Sequence, residues 1–263
     1  MHPLIRTVVL GTLCVSLGAV HSALAQRRGG GGGPPIRDFG QSQPGAGLSV
    51  RFEAGARCTP ISSPYASLTR YDGSMRQTGG AAGMHGGIDL SLDDGTPLLA
   101  IAPGRVFVAG SGGMMEGNYL WLLHLPEHTG LPFGFLSKYQ HLLEQPKLEP
   151  AAPVKLGQVI ARSGSTGTVG GYYGSSGYPH LHLTLRAIHD DKLPAVGKAD
   201  GEFQLNRDTT IIDPLTIYIP NLKTPADGNV LASDARQLTV GYTDDNGRVF
   251  PALARFVWPV ACR

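Results

Sequence analysis

His180-Leu181-His182-Leu183-Thr184-Leu185-Arg186 alternates polar and apolar side chains without a break. Successive side chains of a β-strand point to opposite faces, so this period of two predicts a half-buried strand. Leu181, Leu183 and Leu185 then face a core, and His180, His182, Thr184 and Arg186 share the other side. Two imidazoles at i and i+2 project side by side from rigid backbone. One can bind a metal while its neighbour works on a water beside it. The plainer reading is a solvated strand face that happens to carry histidines; two on one face, behind a glycine-rich loop, favour a site.

About ninety residues upstream stands a second cluster, His85-Gly86-Gly87-Ile88-Asp89. A helical i, i+4 pair would put two glycines inside a helix, each costing roughly 1 kcal/mol relative to alanine. Ile88, Leu90 and Leu92 instead alternate with Asp89, Ser91 and Asp93, which predicts a strand entered through a glycine turn that swings His85 back toward Asp89. Catalytic zinc takes three protein ligands from His, Asp and Glu and keeps the fourth position for water. The two clusters supply two imidazoles and a carboxylate for such a site, with one histidine to spare.

A third piece, Tyr139-Gln140-His141-Leu142, lies between them. Around these three run Gly95-Thr96-Pro97, Ala102-Pro103-Gly104-Arg105-Val106, Gly157-Gln158-Val159-Ile160 and Ser163-Gly164-Ser165-Thr166-Gly167, and Asp213-Pro214 follows. From about residue 83 to 187 this ordered set resembles the lysostaphin/LytM-type zinc metallopeptidases, which cleave peptidoglycan peptides. The resemblance implies a mainly β fold, an antiparallel β-sheet groove of the LytM/lysostaphin catalytic-domain type. It implies His85, Asp89 and His182 as ligands of one zinc ion (Zn2+) per chain. It also implies His141 and His180 as the non-ligand catalytic histidines that polarise the attacking water and stabilise the tetrahedral intermediate. An imidazole with an unperturbed pKa of about 6.5 can exchange protons with that water near neutral pH. Which of His141 and His180 is the principal base stays open.

Two features depart from the family pattern. Many members continue the H-L-H motif with Phe-Glu, whereas this chain has Leu183-Thr184, so the surroundings of the ligands or the substrate groove are expected to differ. The loop at 169–178 is longer than usual and carries three tyrosines and four glycines; it reads as a flexible groove wall or as an ordinary surface loop. Of the other histidines, His124 sits on an apolar strand and is expected to satisfy a structural hydrogen bond. His128 and His189 are expected to be solvated.

Residues 1–6 are basic, 7–20 apolar, and Ala23-Leu24-Ala25 is a cleavage-type triplet, which together read as a secretory signal peptide rather than a membrane span. Cys14 lies too deep in the apolar run to mark a lipoprotein. Residues 26–45 read as a Gly/Pro-rich disordered linker. Residues 46–220 form the expected catalytic domain with an N-terminal lead-in, and 221–263 an extension of appended C-terminal strands packed on the same domain. Cleavage leaves only Cys58 and Cys262, expected to pair in an oxidising compartment; the alternative is a reduced buried Cys58 and a frayed Cys262.

The net charge of +2 falls to +1 with the loss of Arg6, which gives no electrostatic case for nucleic acid or an anionic membrane. The expectation is an exported cell-wall hydrolase acting on peptidoglycan peptide in the periplasm or outside the cell, with no nucleic-acid partner, no transmembrane segment and no stated oligomeric state. A non-catalytic LytM-like activator is the second reading. A cupin-type oxygenase also uses H-x-H on a strand, but Leu183-Thr184-Leu185-Arg186-Ala187 lacks the glutamate that fold needs.

Overall fold

Among the described residues the strands, in chain order, are β1 (Ser49–Arg51), β2 (Ile88–Ser91), β3 (Pro97–Leu99), β4 (Gly104–Ser111), β5 (Asn118–His124), β6 (Phe135–Leu142), β7 (Pro153–Val154), β8 (Val159–Arg162), β9 (His180–Ile188), β10 (Thr209–Ile212), β11 (Gln237–Thr239), β12 (Tyr242–Thr243) and β13 (Val249–Phe250), and a short helix, α1 (Pro126–Thr129), follows β5. The computed structural model describes residues 47–76, 83–113, 115–168, 177–189, 205 and 208–263. The expected signal peptide and linker, and positions 169–176 of the tyrosine-rich loop, lie outside the described residues.

The alternating stretch at 180–186 becomes the strand around which the main sheet is organised. That sheet runs β10-β9-β6-β5-β4-β7, and β2 also pairs with β9; every pairing in it is antiparallel. Along one edge of β9, β2 takes the first half and β10 the second, while β6 runs along the other edge. Leu181, Leu183 and Leu185 are buried against the core with Ile88, Leu90, Leu120, Leu122, Phe135 and Tyr139. The mainly β, antiparallel architecture is therefore the one expected.

The polar face of β9 is not half-buried, however. Thr184 and Arg186 are 7% and 2% exposed, and His180 only 1%. A second apolar cluster of Phe107, Trp121, Leu136 and Leu205 explains this. Leu136 pairs with Arg186 across β6 and β9, and Trp121 with Lys138 across β5 and β6, so this cluster lies on the polar side of the sheet. Buried polar groups there need partners, and they have them. Arg186 Nε donates to Thr209 Oγ1 at 2.7 Å, and Lys138 pairs with Glu116.

The C-terminal extension is less strand-like than its sequence suggests: β11, β12 and β13 span two or three residues each, and Asp227–Val230 and Ser233–Arg236 are 3-10 turns. It is tied to the N-terminal lead-in. β11 pairs with β1 in parallel, Arg57 and Arg263 exchange backbone hydrogen bonds at 2.6 and 3.0 Å, and Cys58 and Cys262 form a disulfide. Trp258 is fully buried and donates its indole N–H to Thr59 O at 3.0 Å.

His128 and His189 correct their expectation too. His128 Nδ1 accepts from the Leu125 N–H at the start of α1, and His189 Nε2 meets Thr210 Oγ1; both are half-buried.

Candidate metal centre

Antiparallel register makes Asp89 of β2 the direct partner of His182 of β9. Directly opposed residues have their Cβ atoms about 4.5–5.5 Å apart on one face, close enough for one ion to bridge them. His85 enters through the glycine turn. At Gly87 a Cβ would stand 2.3 Å from Leu183 O and 3.0 Å from His182 Nε2, so only glycine lets the turn lie this close to β9.

The donor atoms converge. Asp89 Oδ1 lies 3.0 Å from His85 Nε2 and 2.8 Å from His182 Nδ1, and those two nitrogens are 3.0 Å apart. A tetrahedral ion bound at about 2.0–2.1 Å spaces its ligand atoms roughly 3.3 Å apart, so the trio need open by only a few tenths of an ångström.

The outer ring nitrogens decide what the inner ones carry. His85 Nδ1 lies 2.9 Å from Pro64 O, and a carbonyl can only accept, so Nδ1 holds the proton and Nε2 a lone pair. His182 Nε2 lies 3.0 Å from Thr184 Oγ1; with Nε2–H donating to that hydroxyl, Nδ1 too presents a lone pair. Two nitrogen lone pairs and a carboxylate oxygen then face one another with no hydrogen between them. Such a cluster repels itself unless a cation sits in it, and its hard nitrogen and oxygen donors suit zinc. Among the described residues, these three are the His/Cys/Asp/Glu group placed to hold a metal.

Burial alone would raise the Asp89 carboxyl, yet the surrounding His85 and His182 rings hold it well below the usual carboxylate range. Burial lowers His182 to about 4, against the pull of Asp89 in the other direction.

His141 and His180 flank this trio. Their ring centroids are 4.5 Å apart, and His180 Nε2 is 3.9 Å from Asp89 Oδ1. His141, next to last in β6, has φ +61°, a left-handed conformation unusual for a residue with a side chain and associated with functional sites. Its Nδ1 donates to Thr166 O at 2.9 Å, while Thr166 Oγ1 donates to Leu142 O at 2.7 Å. The Ser163–Gly167 motif thus serves as a clamp: it also accepts the His180 N–H, at Gly164 O, 3.2 Å away. His180 Nδ1 donates to Tyr178 O at 2.8 Å. Both rings therefore keep Nε2 unprotonated. Burial, reinforced by neighbouring imidazoles, lowers His141 to about 3, and burial lowers His180 as well. Near neutral pH both are neutral proton acceptors.

All five residues singled out from sequence thus come together. Sequence reasoning missed the lead-in that grips them. The Asp89 N–H donates to Ser63 O, the Ala66 N–H to His85 O and the His85 N–H to Ser67 O, while Arg76 reaches Asp89 Oδ2 at 3.6 Å and Ser63 Oγ at 2.9 Å. No motif in residues 62–76 announces this, although the polar position of Thr184 on the alternating strand did point to the ring of His182.

Residues 83–194 match the model of Peptidase family M23. The chain is similar to lysostaphin of Staphylococcus simulans, at 36% identity over 104 residues, 38% of this chain and 18% of that protein. It is also similar to the murein hydrolase activator NlpD of Salmonella dublin, at 35% over 122 residues, 44% of this chain and 29% of that one. The chain thus spans less than a third of the length of these curated relatives. The solved catalytic domain of lysostaphin from Staphylococcus simulans is 27% identical and covers 54% of this chain and 86% of its own, with a TM-score of 0.33. The ordered motifs from His85 to His182 fall within residues 83–194, the segment of this chain that matches Peptidase family M23.

Proposed function

We propose that the protein is an exported, zinc-dependent endopeptidase that hydrolyses peptide bonds of peptidoglycan. The observation that carries this reading is the set of three lone-pair donors converging on one point, with two further imidazoles beside it whose Nδ1 protons are already committed to backbone carbonyls. A bound zinc would supply Lewis acidity toward the scissile carbonyl and bring the pKa of a water down to about 7. His85, Asp89 and His182 would hold it. His141 and His180, neutral and with Nε2 unprotonated, would take the proton of the attacking water, and the imidazolium so formed would hydrogen-bond the carbonyl oxygen as charge develops on it and return that proton to the leaving amine. Export is supported by the leader at residues 1–25 and by a disulfide, which persists in oxidising compartments. No described helix is long and apolar enough to cross a membrane.

The similarity to a murein hydrolase activator favours one second reading, a binding module that stimulates another hydrolase. One experiment separates the two. The zinc-loaded mature protein is incubated with purified sacculi and defined muropeptides, and the products are read by mass spectrometry. Shortened or uncross-linked stem peptides with intact glycan, abolished by chelation and restored by stoichiometric zinc, are expected. Absence of new amino termini with zinc confirmed in place would replace the peptidase by the activator.

A further inference from the structure

Three aromatic rings stand in line on the His180 side of the site. Tyr178 stacks on His180 with centroids 4.7 Å apart and planes 25° from parallel, and Tyr71 stacks on Tyr178 at 4.0 Å and 12°. Tyr178 is held at several points. Its carbonyl accepts the His180 Nδ1–H, its N–H donates to Thr168 Oγ1 at 2.9 Å, and its hydroxyl bonds Ser91 Oγ. Ser91 is itself the register partner of His180 across β2 and β9, so the phenol ring lies along that strand pair.

Tyr71 comes from outside the matched family segment. It occupies the tip of a turn closed by a Thr69–Met75 bridge and by Arg70 N–H to Ser74 O at 2.8 Å. Tyr71 is 44% exposed, whereas His180 is 1% exposed. A pre-formed turn on the lead-in thus presses an exposed ring onto a chain of contacts ending at a buried imidazole.

We propose that Tyr71 and Tyr178 are positioning residues for His180: the stack fixes the plane of its ring, and the Tyr178 carbonyl fixes its tautomer, so that Nε2 alone is offered to the reaction. This rests on the reading of His180 as a proton-transfer residue. A catalytic group loosened by about an ångström loses up to 10²-fold in rate, and removal of one stacking partner should act in that way. Because the turn belongs to residues 62–76, a fragment beginning at residue 83 would lack this support for its base.

The test uses the zinc-loaded mature protein and its Tyr71→Ala, Tyr71→Phe and Ser91→Ala variants. The ring Nδ1–H signal of His180 is followed by 1H–15N NMR, alongside kcat, KM, zinc content and melting temperature. In Tyr71→Ala the Nδ1–H signal should shift and exchange faster with water, and kcat should fall about 10- to 100-fold, with KM, zinc content and melting temperature little changed. Tyr71→Phe, which keeps the flat ring, should behave as the parent, and Ser91→Ala, which releases the Tyr178 hydroxyl, should move the same signal. An unchanged His180 signal in both Tyr71→Ala and Ser91→Ala would overturn the proposal. So would a raised KM with unaltered kcat, which would make Tyr71 a substrate contact. A shifted ring signal with unaltered turnover would uphold the positioning while removing His180 from the reaction, so the two failures are distinguishable.

Discussion

His124 and the His141/His180 pair are all buried, yet they are wired differently. His124 is fully buried, with Nδ1 donating to Pro103 O at 2.8 Å and Nε2 meeting Ser137 Oγ at 2.8 Å. Both ring nitrogens are used within the protein, and the ring serves as a strut between β5, β6 and the turn before β4. At the candidate centre each outer nitrogen is held by Pro64, Thr166, Tyr178 or Thr184, and the other nitrogen of His85, His182 and His180 faces Asp89 Oδ1. Burial lowers His124 to about 4 and His141 to about 3, so depressed basicity does not tell a strut from a site. The direction of the remaining nitrogen does.

The comparison breaks most visibly at the metal. Substituting His85→Ala or His182→Ala should reduce zinc from one per chain to almost none after dialysis and take peptidase activity to background, whereas His124→Gln should leave zinc intact. Stoichiometric zinc in both ligand variants would remove the assignment. Next in size, His141→Ala should keep its zinc and lose about 10²–10⁴-fold in kcat; steady-state kinetics with unaltered turnover would mean that its inward nitrogen does no chemistry.

Reduction of the Cys58–Cys262 bridge sharpens the division between scaffold and centre. It closes a loop of sequence separation 204, for which chain entropy sets an upper figure of about 5 kcal/mol. Melting temperature should drop while activity at moderate temperature persists. Thiol titration of the denatured secreted protein should find no free thiol, and two per chain would mean no bridge.

A smaller effect concerns His124 and acid. Unfolded, it binds a proton below pH 6.5; folded, only near pH 4. Stability that His124 contributes above pH 6.5 is therefore lost as the pH falls toward 4, on the order of 2–3 kcal/mol between pH 7 and 4.5. The gap in unfolding free energy between parent and His124→Gln should narrow over that range in urea titrations, and a gap constant with pH would contradict the assignment. Smallest is Thr184→Val, which removes the partner of His182 Nε2. Zinc affinity should fall roughly 10-fold, the low end for outer-shell partners, as read by chelator competition.

How much of this was legible beforehand follows the range of each interaction. Period-two alternation and a double glycine are local signals, and they placed His180, His182, His85 and Asp89 on their strand and turn. The same alternation misled about the far side of β9, because there Leu136, the cross-strand partner of Arg186, clusters with Phe107, Trp121 and Leu205, distant in sequence and without a pattern of their own. Residues 62–76 were silent for the same reason: their contribution is mostly backbone carbonyls and N–H groups, which every residue possesses.

The sequence by itself determined the chemical inventory of the protein: which nitrogen and oxygen donors exist, on what kind of element, and in what order. Only the tertiary structure decided the register that sets Asp89 opposite His182 and the pairing of Cys58 with Cys262. It alone also decided which nitrogen of each histidine is left over. That last choice depends on carbonyls of Pro64 and Thr166, 21 and 25 residues from the rings they hold. A proton goes to whichever ring nitrogen meets an acceptor, and only the folded chain brings the acceptor there.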